Sequence, residues 1–81
     1  MKTSQKTAIV TGGAQGIGQQ VAIKLARQGI MVVIADVTED LARQTAQIIK
    51  ETCASDVLVV KTDVKRKADV TRLMELVAKK F

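Results

Sequence analysis

A glycine-rich segment near the start of the chain has the composition of a phosphate-binding turn. Residues 11–18 are Thr-Gly-Gly-Ala-Gln-Gly-Ile-Gly, and they follow a short apolar run, Ala8–Val10. An amphipathic segment begins directly after them. Glycines let the backbone turn sharply and approach phosphate groups, and a helix N-terminus presents N–H groups and the positive end of its dipole to an anion. The order strand, glycine turn, helix therefore predicts a turn that binds the pyrophosphate of a dinucleotide.

The spacing of the glycines distinguishes this turn from two commoner phosphate loops. A P-loop requires Lys and then Ser or Thr after its last glycine, but Gln19 and Gln20 follow Gly18. Because no lysine or hydroxyl is placed to reach a terminal phosphate or to hold Mg²⁺, the sequence disfavours hydrolysis of a nucleoside triphosphate. The G-x-G-x-x-G spacing fails as well, since Val21 stands where its last glycine would be.

A carboxylate follows the second apolar run of the chain. We expect Met31–Ala35 to form a buried strand, and Asp36 comes directly after it. A carboxylate ~20 residues beyond the glycines can accept hydrogen bonds from the hydroxyls of the adenosine ribose. The same carboxylate would repel the 2′-phosphate of NADP, so the residue favours NAD. The alternative is that Asp36 is an ordinary turn residue at the end of a strand.

The segment Thr11-Gly12-x-x-x-Gly16-Ile17-Gly18 resembles the T-G-x-x-x-G-x-G fingerprint of the short-chain dehydrogenase/reductase family. The resemblance implies an NAD-dependent oxidoreductase that acts on an alcohol or a carbonyl compound. Family members that prefer NADP usually carry Arg or Lys in the glycine loop or just after the second strand. The chain has uncharged residues at those places. The cofactor-binding residues that the resemblance implies in this part of the chain are Thr11, Gly12, Gln15, Gly16, Ile17, Gly18 and Asp36.

A second similarity to the family follows the third apolar run. Asp63-Val64 resembles the Asp-Val pair that borders the adenine ring in the family. The resemblance implies that Asp63 accepts a hydrogen bond from the adenine amino group and that Val64 contacts the ring. The alternative is that Asp63 only begins the turn into the last helix. The chain departs from the family directly afterwards, where Lys65-Arg66-Lys67 replaces the usual Ser or Thr. Cations oppose the helix dipole at this end, so we expect the last helix to be frayed or to begin later.

The sequence lacks the proton donor that this family's chemistry needs. Reduction of a carbonyl by hydride requires an acid that protonates the oxygen, and the resemblance implies a tyrosine in Y-x-x-x-K, assisted by a serine. The chain contains no Tyr and no His; its serines are Ser4, in the N-terminal tail, and Ser55, before the third strand. Cys53 has no histidine to activate it as a nucleophile. We therefore predict no catalytic residue in this chain.

Alternation of apolar and amphipathic segments predicts the order βαβαβα. Strands are expected at about 6–11, 31–36 and 57–62, with helices at about 17–28, from Thr38 onward, and at about 68–81. Right-handed crossovers then give an incomplete three-layer, Rossmann-like parallel sheet of class α/β, with strand order 3-2-1. Five residues are expected to face inward on the last helix: Val70, Leu73, Met74, Val77 and Phe81.

Length and charge limit the remaining possibilities. The 81 residues are expected to form the N-terminal part of one dinucleotide-binding domain, residues 1–81, truncated before a fourth strand. A stand-alone nucleotide-binding module that dimerises through an open sheet edge is the alternative. The net charge of +5 and the run Lys65-Arg66-Lys67 raise a nucleic-acid role, but the chain has one aromatic residue, Phe81, for base stacking, so this role is disfavoured.

The composition of the chain also indicates in which cellular compartment the protein is expected. No apolar run approaches the ~20 residues of a membrane span, and the N-terminus has no long apolar stretch typical of a signal peptide. The single cysteine excludes an internal disulfide and a C-x-x-C metal or redox pair. These features predict a cytoplasmic protein that binds NAD and does not bind a metal or a membrane.

Overall fold

The computed structural model describes residues 6–12, 16–53 and 56–80. Predicted boundaries of strands and helices agree with the observed ones to within one residue. The elements are β1 (Thr7–Thr11), α1 (Gly16–Arg27), β2 (Met31–Asp36), α2 (Glu39–Cys53), β3 (Val57–Lys61) and α3 (Lys67–Lys80). Within the described ranges, no helix has the length and apolar character needed to cross a membrane.

The three strands form one parallel sheet with β2 at its centre. Val10 of β1 lies opposite Ile34 of β2, which lies opposite Val59 of β3. The order β1-β2-β3 is the predicted order 3-2-1 counted from the other edge. Residues 32–35 are buried without interruption, as expected of a parallel strand that is covered on both faces. The sheet therefore has the predicted α/β topology.

Helices cover both faces of this sheet and complete three layers. On one face, α1 and α2 pack on β1, β2 and β3 through a cluster of small and branched apolar residues. On the other face, Leu73 of α3 packs with Val33, Ala35 and Val60. The first cluster consists of Val10, Ala22, Ala26, Val32, Ile34, Ala42, Ala46, Ile49 and Val57.

The apolar faces of two helices differ from simple sequence periodicity. On α1, Ala22 and Ala26 are buried, whereas Ile17 is 83% exposed and Val21 is 42% exposed. Alanines allow the helix axis to approach the sheet closely, and the neighbouring stripe with Ile17 and Val21 is turned away by ~100°. On α3, the prediction that Met74 faces inward is wrong, because this residue is 52% exposed.

The other positions predicted to face inward on α3 have mixed outcomes. Leu73 is buried, and Val70 and Val77 are half-buried. Met74 follows Leu73 directly and is rotated by ~100° around the helix axis, which places it outside the contact with the sheet. Phe81 lies outside the described residues.

The helix α3 begins within the basic run Lys65-Arg66-Lys67, earlier than the charge of this run predicts. The helix begins at Lys67, the last cation of the run, and the N–H of Val70 donates to the carbonyl of Arg66 at 3.1 Å. Asp69 lies in the first turn. A carboxylate at this place interacts favourably with the N-terminal end of the helix dipole, so it offsets the repulsion from the cations.

Candidate functional site

The residues that follow the three strands come together at the carboxyl edge of the sheet. The N–H of Gly12 donates to the carbonyl of Ala35 at 3.0 Å, and the N–H of Thr62 donates to the carbonyl of Asp36 at 3.0 Å. These bonds extend both strand ladders one residue beyond β1 and β3. The edge at which Thr11, Asp36 and the segment after β3 meet is the usual ligand-binding edge of an open parallel sheet.

A cavity of ≈ 470 Å³ lies at this edge. Residues at the ends of all three strands line it, and they include five of the predicted cofactor-binding residues. The lining residues are Thr11, Gly12, Ala35, Asp36, Val37, Thr62, Asp63, Val64 and Lys65.

The glycine turn depends on a backbone conformation that other residues rarely adopt. Gly12 has φ 69° and Gly16 has φ 64°, which is the left-handed region that favours glycine. A Cβ atom at either position would meet no described atom within 4 Å. As far as the described residues are concerned, space does not require glycine at these positions, whereas the backbone angle does. The open space beside both glycines is compatible with close approach of a phosphate group.

The remaining residues of the predicted phosphate site lie at the start of α1. Gly16 is the first residue of the helix, Ile17 is exposed and Gly18 is half-buried. The first N–H groups of an α-helix have no acceptor within the helix and can bind an anion. Gly16 and Ile17 line a second cavity, along the surface of α1. Gln15 lies outside the described residues, as do residues 13 and 14.

Asp36 ends β2 and is held by the turn that follows it. Its side-chain Oδ1 accepts the N–H of Thr38 at 2.9 Å, and the carbonyl of Thr38 accepts the N–H of Ala42 at 3.0 Å. Thr38 is therefore the N-cap residue of α2. The half-buried carboxylate thus has a defined orientation where it borders the cavity.

Asp63 organises the turn between β3 and α3 and also borders the cavity. Its Oδ1 accepts the N–H of Lys65 at 3.0 Å, and its carbonyl accepts the N–H of Arg66 at 2.9 Å. Val64, between them, is exposed at the cavity. Asp63 therefore stabilises the turn, and this role is compatible with a contact to a ligand in the cavity.

Sequence reasoning missed two side chains of α3 that support this turn. Oδ2 of Asp69 accepts the N–H of Asp63 at 3.0 Å, and Nη2 of Arg72 donates to the carbonyl of Lys61 at 2.9 Å. One signal was available, because Asp69 occupies the third helical position, where an acidic or amide side chain often reaches back across a helix start. The partner of that side chain could not be read from the sequence.

The site combines carboxylates with small apolar surfaces. Asp36 and Asp63 can accept hydrogen bonds from hydroxyl or amino groups, and Val37 and Val64 offer apolar contact to a flat ring. Lys65 adds a cation at the same cavity. Across the ranges that the structure describes, no three His, Cys, Asp or Glu side chains are grouped as ligands for a metal ion. The arrangement suits the adenosine half of a nucleotide.

Comparison with known protein sequences relates the chain to oxidoreductases. The family model of the short chain dehydrogenases matches residues 6–81. An uncharacterized oxidoreductase of Thermotoga maritima is 40% identical over 74 residues, which are 91% of this chain and 27% of that protein. A diacetyl reductase [(S)-acetoin forming] of Staphylococcus epidermidis is 34% identical over 76 residues, which are 94% of this chain and 29% of that protein.

Solved structures show the same relationship. L-sorbose reductase from Gluconobacter frateurii, complexed with NADPH and L-sorbose, has a TM-score of 0.91 and 32% identity, over 96% of this chain and 30% of that one. An alcohol dehydrogenase from Thermococcus sibiricus, complexed with 5-hydroxy-NADP, has a TM-score of 0.91 and 26% identity, over 96% and 33%. The chain spans only 27% to 33% of the length of these relatives. Because the family model matches nearly all of its sequence, the chain belongs to the short-chain dehydrogenase/reductase family.

Proposed function

We propose that this chain is the NAD-binding N-terminal portion of an oxidoreductase that acts on an alcohol or carbonyl substrate. The observation that supports this function most strongly is the convergence of Thr11, Gly12, Asp36, Asp63 and Val64 on one cavity. These residues come from three strand ends that are far apart in sequence. Residues 1–81 would then be one part of a single dinucleotide-binding domain, which a further segment completes.

In this proposal, the glycine turn and the start of α1 bind the pyrophosphate. Backbone N–H groups of residues 15–18 donate to the phosphate oxygens, and the helix dipole favours their negative charge. The N–H of Gly12 is already bound to the carbonyl of Ala35, so Gly12 contributes through its backbone angle and its lack of a side chain. Thr11 contributes its hydroxyl where the turn leaves β1. Bound NAD supplies the nicotinamide that accepts or donates hydride.

The adenosine half lies in the cavity at the carboxyl edge of the sheet. Asp36 accepts hydrogen bonds from the two ribose hydroxyls, which suits a carboxylate at the end of β2. Asp63 accepts from the adenine amino group, and the exposed Val64 contacts the ring. The bond from Thr38 to Asp36 and the bond from Lys65 to Asp63 fix the two carboxylates before a ligand arrives.

The preference for NAD over NADP rests on charge. Two structurally similar proteins are complexed with NADPH or 5-hydroxy-NADP, so the fold itself does not decide between the cofactors. In this chain, Asp36 would lie against the 2′-phosphate of NADP and repel it. Ala14, Gln15 and Val37 carry no charge to offset that repulsion. Lys65 is exposed at the cavity, where solvent weakens its effect.

We further propose that the chain does not transfer hydride alone. Its sequence has no tyrosine and no histidine to protonate a carbonyl oxygen, so a catalytic acid must come from another segment. The fraction of each relative that the chain spans supports this view. The predicted cytoplasmic location forms part of the proposal and rests on composition.

A stand-alone, non-catalytic nucleotide-binding module remains the second candidate. In the described part of the chain, β1 pairs with β2 on one side, and its other edge is available for a further strand. A second copy paired at this edge would give a dimer. Analytical ultracentrifugation and an activity assay distinguish the two candidates. A dimer in the presence of NAD supports the stand-alone module. A monomer that becomes active when a C-terminal segment is supplied supports the oxidoreductase.

The test of the main proposal is calorimetric titration of the chain with NAD and with NADP, after circular dichroism has shown that the chain is folded. We expect one NAD to bind per chain, with an affinity about tenfold or more above that for NADP, because a charge repulsion of about 1.4 kcal/mol gives that ratio. Folded protein that binds neither dinucleotide would contradict the proposal.

A further inference from the structure

The turn that carries Asp63 and Val64 is anchored by α3. Asp69 accepts the backbone N–H of Asp63 at 3.0 Å through Oδ2, and Arg72 donates to the carbonyl of Lys61 at 2.9 Å. One bond therefore holds the start of the turn and the other holds the last residue of β3. Both side chains come from the first two turns of α3.

The contact made by Asp69 is not the usual cap of its own helix. A side chain at the third helical position ordinarily accepts the N–H of the N-cap residue, which here is Arg66. Asp69 instead accepts the N–H of Asp63, six residues before it and three before the N-cap. The bond thus joins the helix to the cavity-lining turn, and it is partly buried.

The rest of the turn has few other constraints. Val64, Lys65 and Arg66 are exposed, so side-chain packing contributes little to their position. Thr62, the residue before Asp63, is itself held in place, because it is 2% exposed and its N–H donates to the carbonyl of Asp36. The path between Thr62 and the helix therefore depends on the hydrogen bonds of Asp63, to Lys65, to Arg66 and to Asp69.

We propose that Asp69 is a positioning residue for recognition of the nucleotide base. It fixes the backbone of Asp63, and through it the direction of the Asp63 carboxylate towards the adenine amino group. The inference rests on the proposed function, since it requires that Asp63 contacts the base. Its consequence is a selectivity: the acceptor that Asp69 holds in place distinguishes adenine from a purine that has no amino group.

The experiment compares NAD with its analogue in which hypoxanthine replaces adenine, so that a carbonyl stands in place of the amino group. Dissociation constants for both are measured by calorimetry with the 81-residue chain and its variants. The unmodified chain is expected to prefer NAD about tenfold, because a hydrogen bond to a charged acceptor is lost with the analogue. Asp69→Ala is expected to reduce this preference to about threefold or less, since the turn loses its anchor.

Two further variants separate positioning from helix stability. Asp69→Asn retains an oxygen that can accept the N–H of Asp63, and it should keep the preference for NAD. Asp40→Ala removes an exposed acidic residue from the first turn of α2 that is not among the residues lining the cavity. It should cost similar helix stability and leave the preference unchanged. If Asp69→Ala does not fold, Asp69→Glu keeps the charge, displaces the acceptor by one methylene, and should lower the preference.

The outcomes are distinct. An Asp69→Ala protein that is folded and keeps the full preference for NAD over the analogue overturns this inference alone. An unmodified chain that binds neither dinucleotide overturns the proposed function and this inference with it. Amide hydrogen exchange gives an independent readout: Asp69→Ala should speed exchange of the Asp63 N–H, and Asp69→Asn should restore its protection. Unchanged exchange in Asp69→Ala would also overturn the inference.

Discussion

The two ends of the candidate nucleotide site are built in different ways. The phosphate end depends on backbone conformation, with positive φ at Gly12 and Gly16 and a helix that begins at Gly16. The adenosine end depends on side chains, whose carboxylates are held by backbone N–H groups of Thr38 and Lys65. The geometry of the phosphate end therefore depends on glycines, and the geometry of the adenosine end depends on hydrogen bonds to the side chains of Asp36 and Asp63.

This difference indicates which property each end controls. A pyrophosphate is common to NAD and NADP, so a site for it can be formed from the backbone without distinguishing between them. The ribose and the base differ between nucleotides, and they must be recognised by groups of particular charge and hydrogen-bonding capacity. Substitutions at the phosphate end should therefore weaken binding of both dinucleotides to the same extent. Substitutions that contact the ribose should change the preference between NAD and NADP, and substitutions that contact the base should change the preference for adenine.

The largest effect is expected at the backbone end. Gly16→Ala places a methyl group at φ 64°, which costs ~1–2 kcal/mol in backbone strain, and fills space that a phosphate would occupy. Calorimetry should show NAD affinity reduced about a hundredfold, the equivalent of about 3 kcal/mol of steric cost, with NADP affinity reduced to the same extent.

Gly29 offers a matched control for this substitution. It has φ 83° and open space where a Cβ atom would lie, and it comes just after α1, away from the carboxyl edge of the sheet. Gly29→Ala should lower the free energy of unfolding by ~1–2 kcal/mol and leave NAD affinity unchanged. Equal loss of affinity in both variants would show that backbone strain, and not a phosphate contact, accounts for the effect at Gly16.

An intermediate effect is expected at Asp36. Asp36→Asn removes the charge but retains the oxygen that accepts the N–H of Thr38, so the turn before α2 keeps its hydrogen bond. The ratio of NAD to NADP affinity should fall about tenfold, chiefly because NADP binds more tightly once the repulsion is removed. Titration with both dinucleotides at one fixed ionic strength measures this ratio. A ratio that does not change would assign Asp36 a purely structural role.

The smallest effect is expected at Lys65, the cation at the cavity. Because this side chain is exposed, its contribution is screened by solvent. Lys65→Gln should weaken NADP binding by less than about threefold and NAD binding by less still, and the change should shrink further at high salt. A loss of tenfold or more in NADP affinity would indicate that Lys65 directly contacts the 2′-phosphate, and would weaken the contrast between the two ends.

The sequence predicts residues at both ends of the site, but not the hydrogen bonds from α3 that hold the adenosine end. Glycine spacing and apolar runs act locally, so the strands, the helices and the positive φ at Gly12 and Gly16 follow from short stretches of sequence. The bond between Asp69 and Asp63 joins residues across an irregular turn, and its existence depends on the path of that turn. Local patterns give the residue types there but not their partners.

Helix packing shows a similar limit. Apolar residues on α1 form two neighbouring stripes, one with the larger residues Ile17 and Val21 and one with Ala22 and Ala26. The structure buries Ala22 and Ala26, because small side chains let the helix lie close to β1 and β2. Which stripe faces the sheet is decided by the distance between layers, which periodicity alone does not encode.

Two-dimensional ¹H–¹⁵N NMR of the labelled chain during titration with NAD tests most directly whether the two ends form one site. If they do, amide signals should shift together at Gly12 and Gly16 and at Val37, Asp63 and Val64, with a single dissociation constant. No shifts in folded protein, or shifts confined to one end, would contradict the claim that the two ends bind one dinucleotide.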